Sequence, residues 1–212
     1  MTKVDLKRSI ATYSAPRGSF EIVDVPPLRY LMVDGHGDPN TAEDYTAAVV
    51  AVFSVAYRLK FLNKAELGRD YVVMPLEGLW WSDDMATFTT DRDKTRWSWT
   101  MMSLVPDWID AAHVDRARQE AAAKGGSPAL DRLRFEDLVE GECAQTLHVG
   151  SYDAEAPLLD EMHHRFIPDA GMRMRGRHHE IYLTDPRRTA PDRLRTILRQ
   201  PVERVEPVEP AG

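Results

Sequence analysis

The sequence predicts an α+β domain in which two strand–helix–strand–strand units pack about a pseudo-twofold axis, with a cleft between them. Three observations predict it. The order strand, glycine-containing turn, helix, strand, strand runs from Leu28 to Leu104, and the same order runs from Glu142 to Thr184. Apolar spacing switches between the strand period of two and the helix period of about 3.6 along the chain. Neither unit can cover its own sheet, so the two must share a core, and junctions of this kind commonly hold ligands.

The elements follow in order. Residues 1–19 are weakly periodic and read as an irregular lead-in. Phe20 to Val25 alternates apolar and polar until Pro26-Pro27 stops it, and Leu28 to Asp34 forms a second strand closed by the turn cluster GHGDPN. Thr41 to Lys60 is the clearest helix, with Asn40 or Thr41 as cap and Tyr45, Ala48, Val49, Val52, Ala56 and Leu59 on one face. Tyr71 to Trp81 reads as a strand bent by Pro75 and Gly78, and Lys94 to Leu104 as a long strand.

Connecting helices span roughly 106–138: one from Pro106 to Lys124, stopped by Gly125-Gly126, and a short one near Pro128 to Arg134. Glu142 to Gly150 is a strand, Ala154 to Phe166 a helix, and His178 to Thr184 the last strand. Pro191 to Arg199 reads as a terminal helix with Leu194, Ile197 and Leu198 facing inward. One domain therefore covers 20–200, with repeat one at 28–104, repeat two at 142–184 and the terminal helix at 191–199. The Pro- and Glu-rich tail 201–212 reads as disordered.

Composition removes several function classes. The 212 residues carry 27 Lys and Arg against 34 Asp and Glu, a net charge of −7. Nucleic-acid binding needs a large positive surface, and the one basic run, RMRGR, reads as a solvated turn. The single cysteine, Cys143, excludes an intramolecular disulfide and cysteine-based zinc sites. No signal-like leader and no run of about 18 apolar residues appears, so the expectation is a soluble, cytoplasmic protein. GHGDPN lacks the third glycine of a dinucleotide loop, HEIYL lacks the second histidine of a zinc helix motif, and no GxxxxGK[ST] or GxSxG occurs. The adjacent pairs His163-His164 and His178-His179 diverge on a helix and a strand, so no metal site is expected.

The chemistry-bearing residues sit on strands. Glu180 shares a strand face with His178 and Tyr182. A carboxylate there is either exposed, paired with an arginine, or at the base of an aromatic cleft, where it serves as a base or holds a cation. Trp80, Trp81, Trp97, Trp99, Tyr152 and Tyr182 lie on strands or strand ends, and Trp97, Trp99 and Met101 share one face. Core packing accounts for aromatics singly; a cluster forms a wall that stacks flat or cationic ligands. Glu77, in MPLEGLWW, is a second candidate carboxylate.

The segments LRYLMVDGHGDPN, YVVMPLEGLWW, TRWSWTMM and above all HHEIYLTDPRRTAPDRLRTILRQPV resemble the GyrI-like small-molecule-binding superfamily over about Phe20 to Val202. The resemblance implies duplicated strand-helix-strand-strand (SHS2) modules, antiparallel sheets and a central cleft like that of multidrug-binding domains. It implies no cofactor, a monomer or homodimer, and a hydrophobic aromatic or cationic small molecule as ligand. It places Glu180 at the cleft base. Without a DNA-binding part, the chain is similar to stand-alone cyclopropanoid cyclopropyl hydrolases, which open the cyclopropane of yatakemycin-like alkylating agents with water. On that reading Glu180, Tyr182 and His178 are catalytic, and Trp97, Trp99, Met101, Tyr152, Glu77, Trp80 and Trp81 bind substrate. The alternative is a non-catalytic binder that sequesters hydrophobic or cationic drugs.

Overall fold

The computed structural model describes residues 3–83 and 93–205. Strands β1 (Glu21–Val25), β2 (Leu28–His36), β3 (Glu77–Trp81), β4 (Ser98–Leu104), β5 (Arg134–Leu138), β6 (Gly141–Val149), β8 (His178–Tyr182) and β9 (Arg195–Arg204) form one antiparallel sheet in the order β1-β6-β9-β8-β3-β4-β2-β5. A short β7 (Met172–Met174) pairs with β9. The order reads alike from either end: an outer strand, the first strand of a half, its third, then its second, with β3 and β8 meeting at the centre.

The helices stack on one face. α2 (Glu43–Glu66) buries Ala48, Ala51, Val52, Val55, Ala56 and Leu59 over β2 and β4, with α3 (Ala111–Ala122) against it. By length and composition α2 could cross a bilayer; its small-residue face packs on the sheet, while Val50, Tyr57 and Phe61 are exposed. In the other half, α4 (Ala156–Glu161) runs through a π-helical turn (Met162–Phe166) into α5 (Ile167–Asp169). That segment packs Met162 and Ile167 on Ala144, Leu198 and Val202. Between the two helical layers the face over β3 and β8 stays open.

The opposite face carries a second core of Tyr13, Tyr30, Met32, Met74, Leu79, Met102, Leu104, Leu147, Ile181 and Ile197. The lead-in is therefore part of the fold. Helix α1 (Leu6–Ser9), capped by Asp5, and the turn Ala11–Tyr13 bring Leu6, Ile10 and Tyr13 onto this core. Burying apolar groups on both faces stabilises so broad a sheet.

Several sequence expectations change. Pro191 to Arg199 is not a helix: a single turn (Pro191–Arg193) leads into β9, so β8 is not the last strand. β9 lies between β6 and β8 and is buried from Thr196 to Val202, so it shows no alternation. Its Arg199 broke the apolar run, and only a buried partner, Glu140, makes it a core residue. Residues 201–204 of the expected tail are strand; 206–212 lie outside the described residues. Tyr71 to Trp81 enters the sheet only from Glu77, since Pro75 removes a ladder donor. The helix from 106 begins at Ala111, capped by Asp110, and that near 128–134 is one turn, Leu130–Arg132, followed by the unforeseen β5. α2 starts at Glu43 behind Ala42, with neither Asn40 nor Thr41 capping it through its side chain, and runs to Glu66.

Candidate functional site

The opening between the helical layers is a cavity of about 700 Å³. β3 and β8 make its floor. Paired residues share a face, so Gly78 opposite Glu180 and Trp80 opposite His178 point the same way. The pairing of β8 with β9 adds Thr196 and Leu198 to that face. α2 supplies a wall of Tyr45, Thr46, Val49, Val50 and Phe53. The turn before α4 supplies Tyr152, Asp153 and Glu155, and Trp97, Lys94, Pro39 and Asn40 stand at the mouth.

Glycine shapes the floor at one point. A Cβ on Gly78 would lie 2.8 Å from Trp80 Nε1 and 3.1 Å from Tyr182 Oη. Those two atoms are hydrogen-bonded to each other, Trp80 Nε1–H donating to Tyr182 Oη at 3.0 Å. Gly78 thus leaves the room in which this bond forms beside Glu180. Gly35 does the same for the core: its Cβ would fall 2.0 Å from the Trp99 ring.

Glu180 is the hub. Its side chain is 15% exposed, with His178 Nε2 3.6 Å from Oε1. Burial and the adjacent Glu180 carboxylate push the phenols of Tyr45 and Tyr182 up, and Tyr152 to about 12. All three stay protonated and can donate. Glu155 is only 4% exposed. Burial first, then the Glu180 charge, raises it to about 10, so it stays a neutral carboxylic acid at pH 7. Among the described residues its Oε1 has no hydrogen-bond partner, and neither do the buried nitrogens of His178. His163 stacks edge-on to His178 at 6.1 Å and is lowered to about 3, mainly by burial and then by His178, so it is neutral too.

The structure gathers Glu180, Tyr182, Tyr152, Trp80 and Trp97 around the cavity. Trp80 and Trp97 meet in a T at 5.8 Å, and Tyr152 and Tyr182 at 5.6 Å. His178 stands behind Glu180 rather than on the wall. Four expected residues are elsewhere. Trp99 and Met101 share the floor's face but lie under α2, fully buried, with Tyr45 edge-on to Trp99. Trp81 points to the other face, where Arg177 sits 3.6 Å over its ring. Glu77, also on that face, is fully buried and paired with His179 and Tyr13.

Sequence reasoning missed Glu155, Tyr45 as a wall residue, and Lys94. Glu155 begins a helix, where an acid is ordinary, and only its burial marks it. Tyr45 carried a signal: an aromatic in the first turn of the helix that follows GHGDPN. Among the described residues, no three His, Cys, Asp or Glu side chains are grouped to hold a metal ion.

The model for a GyrI-like small molecule binding domain matches residues 19–203. The chain belongs to the GyrI-like family. Its solved relatives include an uncharacterized conserved protein from Listeria innocua, 36% identical, covering 95% of this chain and all of that one, with a TM-score of 0.86. A hydrolase from Listeria innocua is 35% identical over 95% of this chain and all of that one, with a TM-score of 0.81. The C-terminal domain of EcmrR, 11% identical over 88% of this chain and 98% of that one, shares the fold with a TM-score of 0.53. No curated protein matches the chain. The family is one of small-molecule-binding domains.

Proposed function

We propose that this protein is a cytoplasmic hydrolase that opens the cyclopropane of cyclopropanoid DNA-alkylating agents by adding water, a detoxification that gives resistance. One observation carries the reading: two carboxyl groups of unlike environment face one aromatic cavity, with Glu155 held as the neutral acid beside Glu180. Acid–base pairs are made by environments that separate two like groups. The relatives of about 35% identity described as hydrolases support the same class.

The flat ligand lies against Trp97 and Tyr152, over the floor where Trp80 is hydrogen-bonded to Tyr182. Glu180 accepts a proton from water as its oxygen bonds to the cyclopropane methylene. The ring C–C bond breaks, and its electron pair flows into the dienone, whose oxygen becomes a phenolate. Glu155 then supplies the proton that makes the phenol, the Tyr182 hydroxyl hydrogen-bonding its oxygen, and the proton taken up by Glu180 returns to Glu155 through solvent. Ring strain provides much of the driving force. His178, 3.6 Å from Glu180, lies within reach of it through a bridging water.

Incubation with a spirocyclopropyl dienone, followed by dienone absorbance and product mass, tests this. Turnover is expected, falling by about 10²–10⁴ in Glu180→Gln. Saturable binding without product would instead assign sequestration of hydrophobic ligands. Full turnover in the variant would remove Glu180 as the base.

A further inference from the structure

The cavity wall already contains a cation. Lys94 Nζ lies 5.6 Å from the centre of the Trp97 ring, in cation–π range, and 3.7 Å from Asp153 Oδ1. All three residues line the cavity, and the Lys94 side chain is only 27% exposed. An aromatic face with a carboxylate beside it is what a lipophilic cation seeks. Here a tethered ammonium occupies that position.

The charge of the wall points the same way. Among the described lining residues, Lys7, Lys94 and Arg187 formally balance Asp153, Asp185 and Glu180. Arg187 is tied to Asp185 at 2.9 Å, as Lys94 is to Asp153. The fourth acid, Glu155, is neutral. A cation entering such a site meets no excess of negative charge among the described lining residues and meets Lys94 at close range in a partly desolvated space, where like charges repel. A neutral flat molecule meets neither penalty and keeps the whole aromatic surface.

We infer that Lys94 is the residue that sets ligand charge: it reserves the aromatic wall for neutral, flat molecules and turns away lipophilic cations. The inference rests on the cavity being the ligand site, but not on turnover. Loss of the ammonium would remove one positive charge from beside the Trp97 ring and Asp153, shifting the site's preference toward cations.

Two probes with similar aryl surfaces and different charge test it: tetraphenylphosphonium and triphenylphosphine oxide. Their affinities are measured by calorimetry for the full chain, for Lys94→Met and for Lys94→Arg, with circular dichroism as the check of folding. Lys94→Met is expected to tighten tetraphenylphosphonium by about tenfold or more and to move the oxide by less than about threefold. Lys94→Arg, which keeps the charge, should behave as the parent. An unchanged affinity ratio in Lys94→Met, with the oxide still bound, overturns the role of Lys94 and leaves the cavity as the ligand site. Failure of both probes to bind any of the three proteins overturns both.

Discussion

His179 and Glu180 are adjacent on β8 and live in opposite chemical conditions. Behind the sheet, His179 is fully buried with both nitrogens engaged: Nε2 with Glu77 at 3.0 Å and Nδ1 with Glu140 at 3.0 Å. Arg199 extends the chain to Glu140 at 3.0 Å, to Gln145, and to the Thr12 carbonyl, while the Tyr13 hydroxyl donates to Glu77 at 2.5 Å. In front of the sheet, Glu155 and His178 are buried with atoms that no group among the described residues hydrogen-bonds. The same strand thus carries one polar face completed by the protein and one left for something else to complete. Paired buried charge holds the fold; unpaired buried polarity is where the proposed ligand would act.

The largest break in that comparison comes from the completed face. Glu140→Ala leaves Arg199 and His179 buried without their shared counter-charge, and should lower stability by about 3–5 kcal/mol, read as a drop in denaturant midpoint at constant slope. A loss under about 1 kcal/mol would show that the network is solvated in solution.

The unfinished face should respond with the opposite sign. Glu155 holds a proton up to a pKa of about 10, against about 4.3 in the unfolded chain. The stability tied to that proton is full below the unfolded value and is lost as pH rises toward 10. Glu155→Gln removes the loss, so the variant should be more stable at pH 7 by about 1–3 kcal/mol, with the two curves converging in acid. Turnover should fall as stability rises. A less stable variant at pH 7 would mean that Glu155 is an ordinary buried partner.

The smallest effect belongs to His179. Burial opposes its charge, but Glu140 and Glu77 outweigh it and raise its pKa. Its contribution is full below about pH 6.5, the unfolded value, and fades as pH rises through the folded value. Measured in the Glu155→Gln background, stability should decline above that point by no more than about 1.4 kcal/mol per pH unit, the one-proton limit. His179→Gln should flatten the decline.

The legible part of the site was the part governed by strand parity. Alternation in HHEIYL separates Glu180 and Tyr182 from His179, and the structure keeps that division. Parity does not say what covers a face. Trp99 and Met101 are on the correct side but beneath α2 rather than over β8, which depends on where a helix of 24 residues lies. Glu77 resembled a site carboxylate because its partners, His179 and Tyr13, are distant in sequence. β9 was misread for the same reason. A buried Arg199 is legible only once Glu140 is beside it. Local pattern showed the elements; the long-range ion pairs that decide between strand and helix, or core and cleft, left no local trace.

The central pairing of β3 with β8 has a kinetic consequence. Gly78 and Glu180 face each other across 102 positions of chain. Bringing them together requires closing a long loop, which is entropically costly and slow relative to contacts within either half. The cavity floor therefore cannot exist in a molecule with only one half folded. Any ligand seated on it binds the complete native state alone, and so adds to stability in proportion to the logarithm of its concentration.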